Sequence, residues 1–213
     1  QTVAEYAFTL LLALSRKLPQ ALRSFDDDTP VAEMRGWDLQ GKTLGVIGTG
    51  HIGQCAIKIA NGFGMRVVGY DPYPNESAAK ELGYSYASLE DVLAQSDAVT
   101  IHAPYFASNH HIINTERLAM MKPAAVLINT ARGELVDTHA LTEALAQNTI
   151  AGAALDVIEG EQLMHLDEEV ALLRGIGKPT PELLQHSLEL MALHKMPNVI
   201  LAPHNAFNTT EAI

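Results

Sequence analysis

The stretch LGVIGTGHIGQCAIKIANGFGMRVVGYDP, Leu44 to Pro72, decides the fold. It reads as an apolar strand, a glycine turn, an apolar helix and a second apolar strand that ends in an acid. Gly48, Gly50 and Gly53 have the spacing G-x-G-x-x-G, and they follow a strand and open a helix, which is the context that gives the motif meaning. Gly48 permits a tight turn, Gly50 lets a phosphate approach the backbone, and Gly53 lets the helix pack closely on the strand. The amides of the helix start then face an anion. A glycine-rich packing turn would carry the same three glycines. Asp71 separates the two readings. It ends the second strand, 18 residues past Gly53, and no arginine follows it in Asp-Pro72-Tyr-Pro-Asn. A carboxylate there, with Pro72 beside it, suits the ribose hydroxyls and repels a 2′-phosphate, so NAD is expected over NADP.

Outward from this unit, strands are expected at 43–48, 66–70, 98–102, 125–129, 151–155 and 199–202. Helices are expected near 52–62, 75–82, 89–95, 115–120, 138–146 and 181–194, with Thr180 as N-cap and Pro181 as first residue of the last one. Runs such as Val126-Leu-Ile128 are apolar without alternation, as in strands covered on both faces. The expected fold is α/β, a doubly wound parallel sheet of the Rossmann type over 43–213. Ahead of it, residues 1–42 are expected to form a helix at 2–18 and a polar, irregular arm at 19–42 with at most one short helical turn. Val3, Tyr6, Ala7, Leu10, Leu11, Leu14 and Leu18 make the main stripe of that helix, and Phe8, Leu12 and Ala13 lie outside it. The second apolar face suits either ordinary core or a contact with another subunit or domain.

The chain has 213 residues, 47% hydrophobic, and a formal charge of -11, which argues against a broad basic face for nucleic acid. Its one cysteine, Cys55, excludes an intramolecular disulfide and reads as a small buried residue. The longest apolar run, Phe8 to Leu14, is too short to span a bilayer. Membrane association is not expected, and a cytoplasmic location is. Asn208-Thr-Thr-Glu211 resembles a helix start with Asn208 as N-cap. With the opening at Gln1, it suggests a domain excised from a longer chain.

The second half carries Ile128-Asn-Thr-Ala-Arg-Gly-Glu-Leu-Val-Asp137, then Ala154-Leu-Asp-Val-Ile-Glu-Gly-Glu161, then Leu201-Ala-Pro-His-Asn-Ala-Phe207. An arginine, an acid and a histidine each follow an expected strand, where an open α/β sheet lines its ligand crevice. With the glycine turn, Val-Ala-Glu-Tyr-Ala in the first helix and Gly36-Trp-Asp-Leu-Gln-Gly-Lys before the first strand, these segments closely resemble the NAD-dependent D-isomer-specific 2-hydroxyacid dehydrogenases over nearly the whole chain. The resemblance implies the cofactor domain of a two-domain enzyme, with a split substrate domain absent from this chain. It implies Arg132 as the clamp on a 2-keto acid carboxylate, His204 as acid/base during hydride transfer, and Glu161 as the partner that orients His204 and keeps it charged. It places Asp156 by the nicotinamide carboxamide, and it assigns the turn amides over the pyrophosphate to His51 and Ile52. Thr130, Ala131, Ala206 and the loop His102-Ala103-Pro104 would line the nicotinamide side.

Other readings are available for these residues. Arg132 and Glu161 would serve equally in a surface salt bridge, and Asp156 as a cap. His110, His111, His139, His165, His186 and His194 read as ordinary polar histidines. His-x-His spacing is absent, and the His110-His111 pair alone is no metal site. The 43 positions from Glu161 to His204 exceed the family's usual interval. His204-Asn-Ala-Phe207 is closer to D-lactate dehydrogenase relatives than to phosphoglycerate dehydrogenases, and Glu161 argues against formate dehydrogenase. The expected partners are a small 2-keto or 2-hydroxy acid and a second copy joined through the cofactor domain. An NAD(H)-sensing corepressor of the same fold is the competing function, although no partner-binding segment is visible.

Overall fold

The computed structural model describes residues 1–27, 30–159 and 181–212. Among these residues, seven parallel strands form one sheet in the order β3-β2-β1-β4-β5-β6-β7. They are β1 (Thr43–Ile47), β2 (Arg66–Tyr70), β3 (Ser85–Tyr86), β4 (Ala98–Ile101), β5 (Val126–Asn129), β6 (Gly152–Leu155) and β7 (Val199–Leu201). The order reverses beside β1, because the chain leaves β3 at one edge and returns at β4 on the far side of β1. This creates the crevice at the strand ends where open α/β sheets take ligands.

Side chains alternate between two cores. Leu44, Val46, Val126 and Ile128 enter one cluster with α1 (Thr2–Ser15) and α3 (His51–Gly62). Ile47, Val99, Ile101, Leu127 and Leu155 enter the other, with α5 (Leu89–Gln95), α6 (Thr115–Met120), α7 (Thr138–Ala146) and α8 (Pro181–Lys195). Both faces of the sheet are therefore dry, which is why its strands read as unbroken apolar runs. Among the described residues, four helices begin on a capping side chain, and Thr180, the expected N-cap of α8, lies outside those residues. Asn75, Ser88, Asn114 and Asp137 accept the amides of Ala78, Asp91, Arg117 and Ala140 and start α4 (Glu76–Leu82), α5, α6 and α7. Helix α3 begins at Gly50 without such a cap.

The arm departs from expectation. The first helix stops at Ser15, and a separate ten-residue helix α2 runs over Leu18–Asp27, followed by a 3-10 turn at Val31–Met34. Pro19 is tolerated because it lies in the first turn of α2, where its missing amide proton would have had no helical acceptor. The arm returns to α1 where Trp37 N donates to Ser15 O at 2.9 Å. A Cβ at Gly36 would fall on that same Ser15 carbonyl, so the crossing needs glycine. Phe8, outside the main stripe of α1, is buried and stacks on Phe63 of the α3 end, so this part of the second face belongs to the chain's own core. Asn208–Glu211 forms turns, not a helix start. Asn208 Nδ2 donates back to Asn205 Oδ1 at 3.0 Å in place of a capping bond. Cys55 is partly buried and packs on the α1–α3 core. No helix among the described residues is long and apolar enough to cross a membrane.

Candidate active site

The glycine turn is built by three different constraints. Gly48 has φ +89°, and its amide donates to Tyr70 O at 2.8 Å. A side chain on it would collide with the backbone of His102 and Ala103. A Cβ on Gly53 would fall inside the Gly48 carbonyl, so the helix touches the turn directly. A Cβ on Gly50 would meet nothing within 4 Å. The open side of the turn thus lies at Gly50, where the first amides of α3 emerge with no side-chain acceptor and with the positive end of the helix dipole.

Asp71 follows β2, as its position in the sequence suggested. Its Oδ2 accepts Thr49 N at 2.8 Å and Thr49 Oγ1 at 3.2 Å, and its Oδ1 accepts Tyr73 N at 2.9 Å. Two carboxylate oxygens offer about four acceptor sites, so a further donor can still be received. The hydroxyls of Thr49, Tyr86 and Tyr84 continue in a chain, at 2.7 and 2.8 Å. Burial pushes the Tyr84 phenol up to about 12, with the neighbouring Tyr86 acting in the same sense, so it is a neutral donor in that chain. Asp71 and Pro72 line a cavity of about 600 Å³ that reaches Ala103 and Pro104.

A second cavity, of about 880 Å³, continues past those same two residues. It brings together Gly50, His51, Ile52, His102, Ala103, Pro104, Thr130, Ala131, Arg132, His204 and Ala206. Most of the residues singled out from sequence therefore meet in one trough along the strand ends. Gly53 and Asp156 are not on its walls, and Glu161 lies outside the described residues. His102 Nε2 lies 3.1 Å from Thr100 Oγ1, while its Nδ1 and the hydroxyl of Thr130 are buried with no hydrogen-bond partner among the described residues. Burial lowers the His102 ring to about 4, so the ring is neutral near pH 7. Two orphaned polar atoms beside an uncapped helix start are what a polar dinucleotide would satisfy.

Arg132 is exposed on the loop after β5, and its Nη1 donates to Ala131 O at 2.6 Å. The loop is braced by Asn129, which is fully buried. Asn129 Oδ1 accepts Ala131 N at 3.0 Å, and its Nδ2 donates to Arg132 O at 2.9 Å. The sequence reading missed Asn129, though an asparagine closing the apolar strand Val126-Leu-Ile was a usable signal. His204 is exposed, lies edge-on to Phe207 at 5.9 Å, and adopts φ +53°. Asp156, 1% exposed, holds that loop. Its carbonyl accepts His204 N at 2.9 Å, and its carboxylate accepts Asn205 N at 2.8 Å and Ala206 N at 2.9 Å. So both Asp156 oxygens are engaged as a cap on the histidine loop. Tyr6 of α1 lies near enough for burial first, and then the Asp156 charge, to raise its phenol, while a bond with the Asn205 side chain opposes the rise.

The model of the D-isomer specific 2-hydroxyacid dehydrogenase NAD binding domain matches residues 8–206. The chain is 39% identical to the glyoxylate reductase of Korarchaeum cryptofilum over 97% of its own length and 56% of that protein. It is 34% identical to the D-lactate dehydrogenase of Escherichia coli over its whole length and 61% of that protein. The D-lactate dehydrogenase of Aquifex aeolicus, solved with NAD and lactic acid, superposes with a TM-score of 0.89 at 36% identity, covering 100% of this chain and 61% of that one. The chain spans about three-fifths of the length of the curated relatives it matches. It belongs to the D-isomer specific 2-hydroxyacid dehydrogenases, of whose NAD-binding domain it has the sequence and the doubly wound fold.

Proposed function

We propose that this chain is the cofactor-holding part of an oxidoreductase that interconverts a 2-keto acid and a D-2-hydroxy acid. The observation that carries the reading is the cavity of about 880 Å³ in which the glycine turn, Arg132 and His204 meet. In this reading the amides of His51 and Ile52 receive the pyrophosphate over the bare face of Gly50, and Asp71 receives the adenosine ribose. Thr130, Ala131, Ala206 and the loop His102-Ala103-Pro104 bound the nicotinamide side, and Asp156 fixes its rear wall. NADH supplies the hydride. Arg132 offers two parallel N–H donors to the substrate carboxylate. His204 gives a proton to the keto oxygen in reduction and takes it from the hydroxyl in oxidation. Glu161 pairs with His204 and favours its charged form.

Residues 1–42 then form the packed helix and arm, residues 43–213 the dinucleotide unit, and a split substrate domain completes the pocket in the whole enzyme. The enzyme is placed in the cytoplasm. A homodimer joined through this unit is also proposed. The exposed apolar side chains Leu18, Leu22 and Val31, 47%, 64% and 82% exposed, support that contact. A sedimenting species that stays monomeric at high concentration would count against it.

The test of the cofactor site is calorimetric titration of the chain with NADH and with NADPH. NADH binding well above NADPH is expected, and equal affinity would remove the role given to Asp71. In the full-length enzyme, Arg132→Gln and His204→Ala should each lower kcat/KM for 2-keto acids by at least about a hundredfold. Turnover that survived both substitutions would leave the acid–base assignment without support.

A further inference from the structure

One polar cluster takes no part in the trough. His110 and His111 lie in the loop after β4, and Glu159 lies in the loop after β6. His111 Nε2 is 2.9 Å from Glu159 Oε2, and His110 Nε2 is 3.9 Å from Glu159 Oε1. The two rings stack with centroids 3.8 Å apart and planes 22° from parallel, so both present the same edge to one carboxylate. One ligand atom from each of the three side chains lies within 4.8 Å of the others. The opposite ring nitrogens also face polar partners. His111 Nδ1 is 3.7 Å from Asp137 Oδ2, and His110 Nδ1 is 3.4 Å from Tyr105 Oη. Asp137 is itself fixed, because its other oxygen caps α7.

We infer that His110, His111 and Glu159 form a binding site for a zinc-class divalent cation. Two stacked rings that both aim Nε2 at one carboxylate are poorly explained as ion pairs. Two protonated rings would place like charges face to face, whereas neutral rings that keep their protons on Nδ1, toward Asp137 and Tyr105, leave two lone pairs converging beside an acid. A dication resolves this by accepting all three donors. Two nitrogens and one oxygen suit Zn²⁺ better than Mg²⁺, which prefers oxygen and retains its waters. Bonds of about 2.0–2.1 Å in a tetrahedron separate ligand atoms by roughly 3.4 Å. The distances of 2.9 and 3.9 Å to the carboxylate lie on either side of that value. Asp137 and Tyr105 supply the outer partners that set ring orientation and tautomer in metal-bound histidines. The exposed side of His110 leaves the fourth position to water.

The site also has a place in the mechanics of the fold. His111 N donates to Glu134 O at 2.9 Å, and the backbone of Ile158 and Glu159 is packed against Gly133, next to Arg132. A bound cation ties the loops after β4 and β6 together on either side of the segment that carries Arg132. The inference does not depend on the dehydrogenase reading.

The experiment is calorimetric titration of the chain with zinc sulfate and with magnesium sulfate, and the absorption spectrum with Co²⁺. One zinc site of micromolar affinity is expected, with magnesium at least a hundredfold weaker and intense tetrahedral Co²⁺ bands. At a hundredfold excess over Kd, zinc should raise the melting midpoint by about 5–10 °C. Glu159→Gln and His111→Asn should each weaken zinc binding at least tenfold. Asparagine tolerates the positive φ of 50° at that position, so the fold is retained and circular dichroism checks it. His139→Gln, which touches a separate histidine–carboxylate pair with Glu189, should leave binding unchanged. The inference is overturned by the absence of saturable zinc binding, by equal magnesium affinity, or by binding that survives both Glu159→Gln and His111→Asn. Loss of binding in His139→Gln alone would place the site elsewhere and overturn it too.

Discussion

Two carboxylates follow two strands of one sheet at the same end, yet they are used in opposite ways. Asp71, after β2, is partly exposed, ties the glycine turn through Thr49, and keeps acceptor capacity toward a cavity. Asp156, after β6, is buried, and its oxygens and carbonyl hold the amides of Asn205, Ala206 and His204. The β1–β2 side presents an acid to a cavity. The β6–β7 side buries an acid so that a histidine can be presented instead. A strand-end acid marks both places in the sequence, but only burial tells which role it has.

The largest effect expected from this contrast is on stability. Asp156→Ala removes two charge-assisted bonds and leaves two amides unpaired under a closed loop. It should cost about 4 kcal/mol in urea unfolding. Asp71→Ala should cost only about 1 kcal/mol, because water can reach the amides it releases, and should instead lower the preference for NADH over NADPH. Equal losses of stability would break the comparison.

Acid titration sharpens it next. His102 is held near 4 when folded and returns to about 6.5 when unfolded. The unfolded chain therefore takes up this proton first. Stability from the neutral buried ring is complete above about pH 6.5 and falls as pH drops toward 4, by on the order of 3 kcal/mol. His102→Gln should flatten that part of the stability curve, as followed by urea unfolding across the pH range. An unchanged slope would mean that other groups carry it.

The glycines give the smaller effects. Gly53→Ala forces a methyl into the Gly48 carbonyl and should cost about 2 kcal/mol. Gly50→Ala meets open space and should change stability by no more than about 0.5 kcal/mol. It should nevertheless weaken NADH binding at least tenfold in calorimetry, because the methyl occupies the bare face of the turn. A Gly50→Ala chain that binds NADH normally would return the motif to a packing turn.

Much of this was legible in the sequence because it is local. The strand, turn and helix from Thr43 to Asp71 declare themselves by apolar runs, glycine spacing and a terminal acid. Helix α2 also has a signal in the sequence. Leu18, Ala21, Leu22 and Phe25 repeat at helical spacing, but Pro19 and the acids at 26–28 flank that repeat with residues typical of a loop. What sequence order hides is contact across the sheet. Asp156 meets Asn205 and Ala206 some fifty positions on because β6 and β7 are neighbours, and that pairing also sets the backbone of His204 in its left-handed conformation. The partners of His110 and His111 stand apart in the same way. A pair of adjacent histidines has no chemistry of its own until the loop after β6 places Glu159 against both.

The two cavities share Ala103 and Pro104, and this has a consequence for affinity. Each half can be entered by a short ligand without the other. A molecule long enough to fill both docks its second half at an effective concentration fixed by its own linker, not by the solution. The ratio between the affinity of the whole molecule and the product of its two separated halves is therefore a direct gauge of how well the waist at Ala103 aligns the trough.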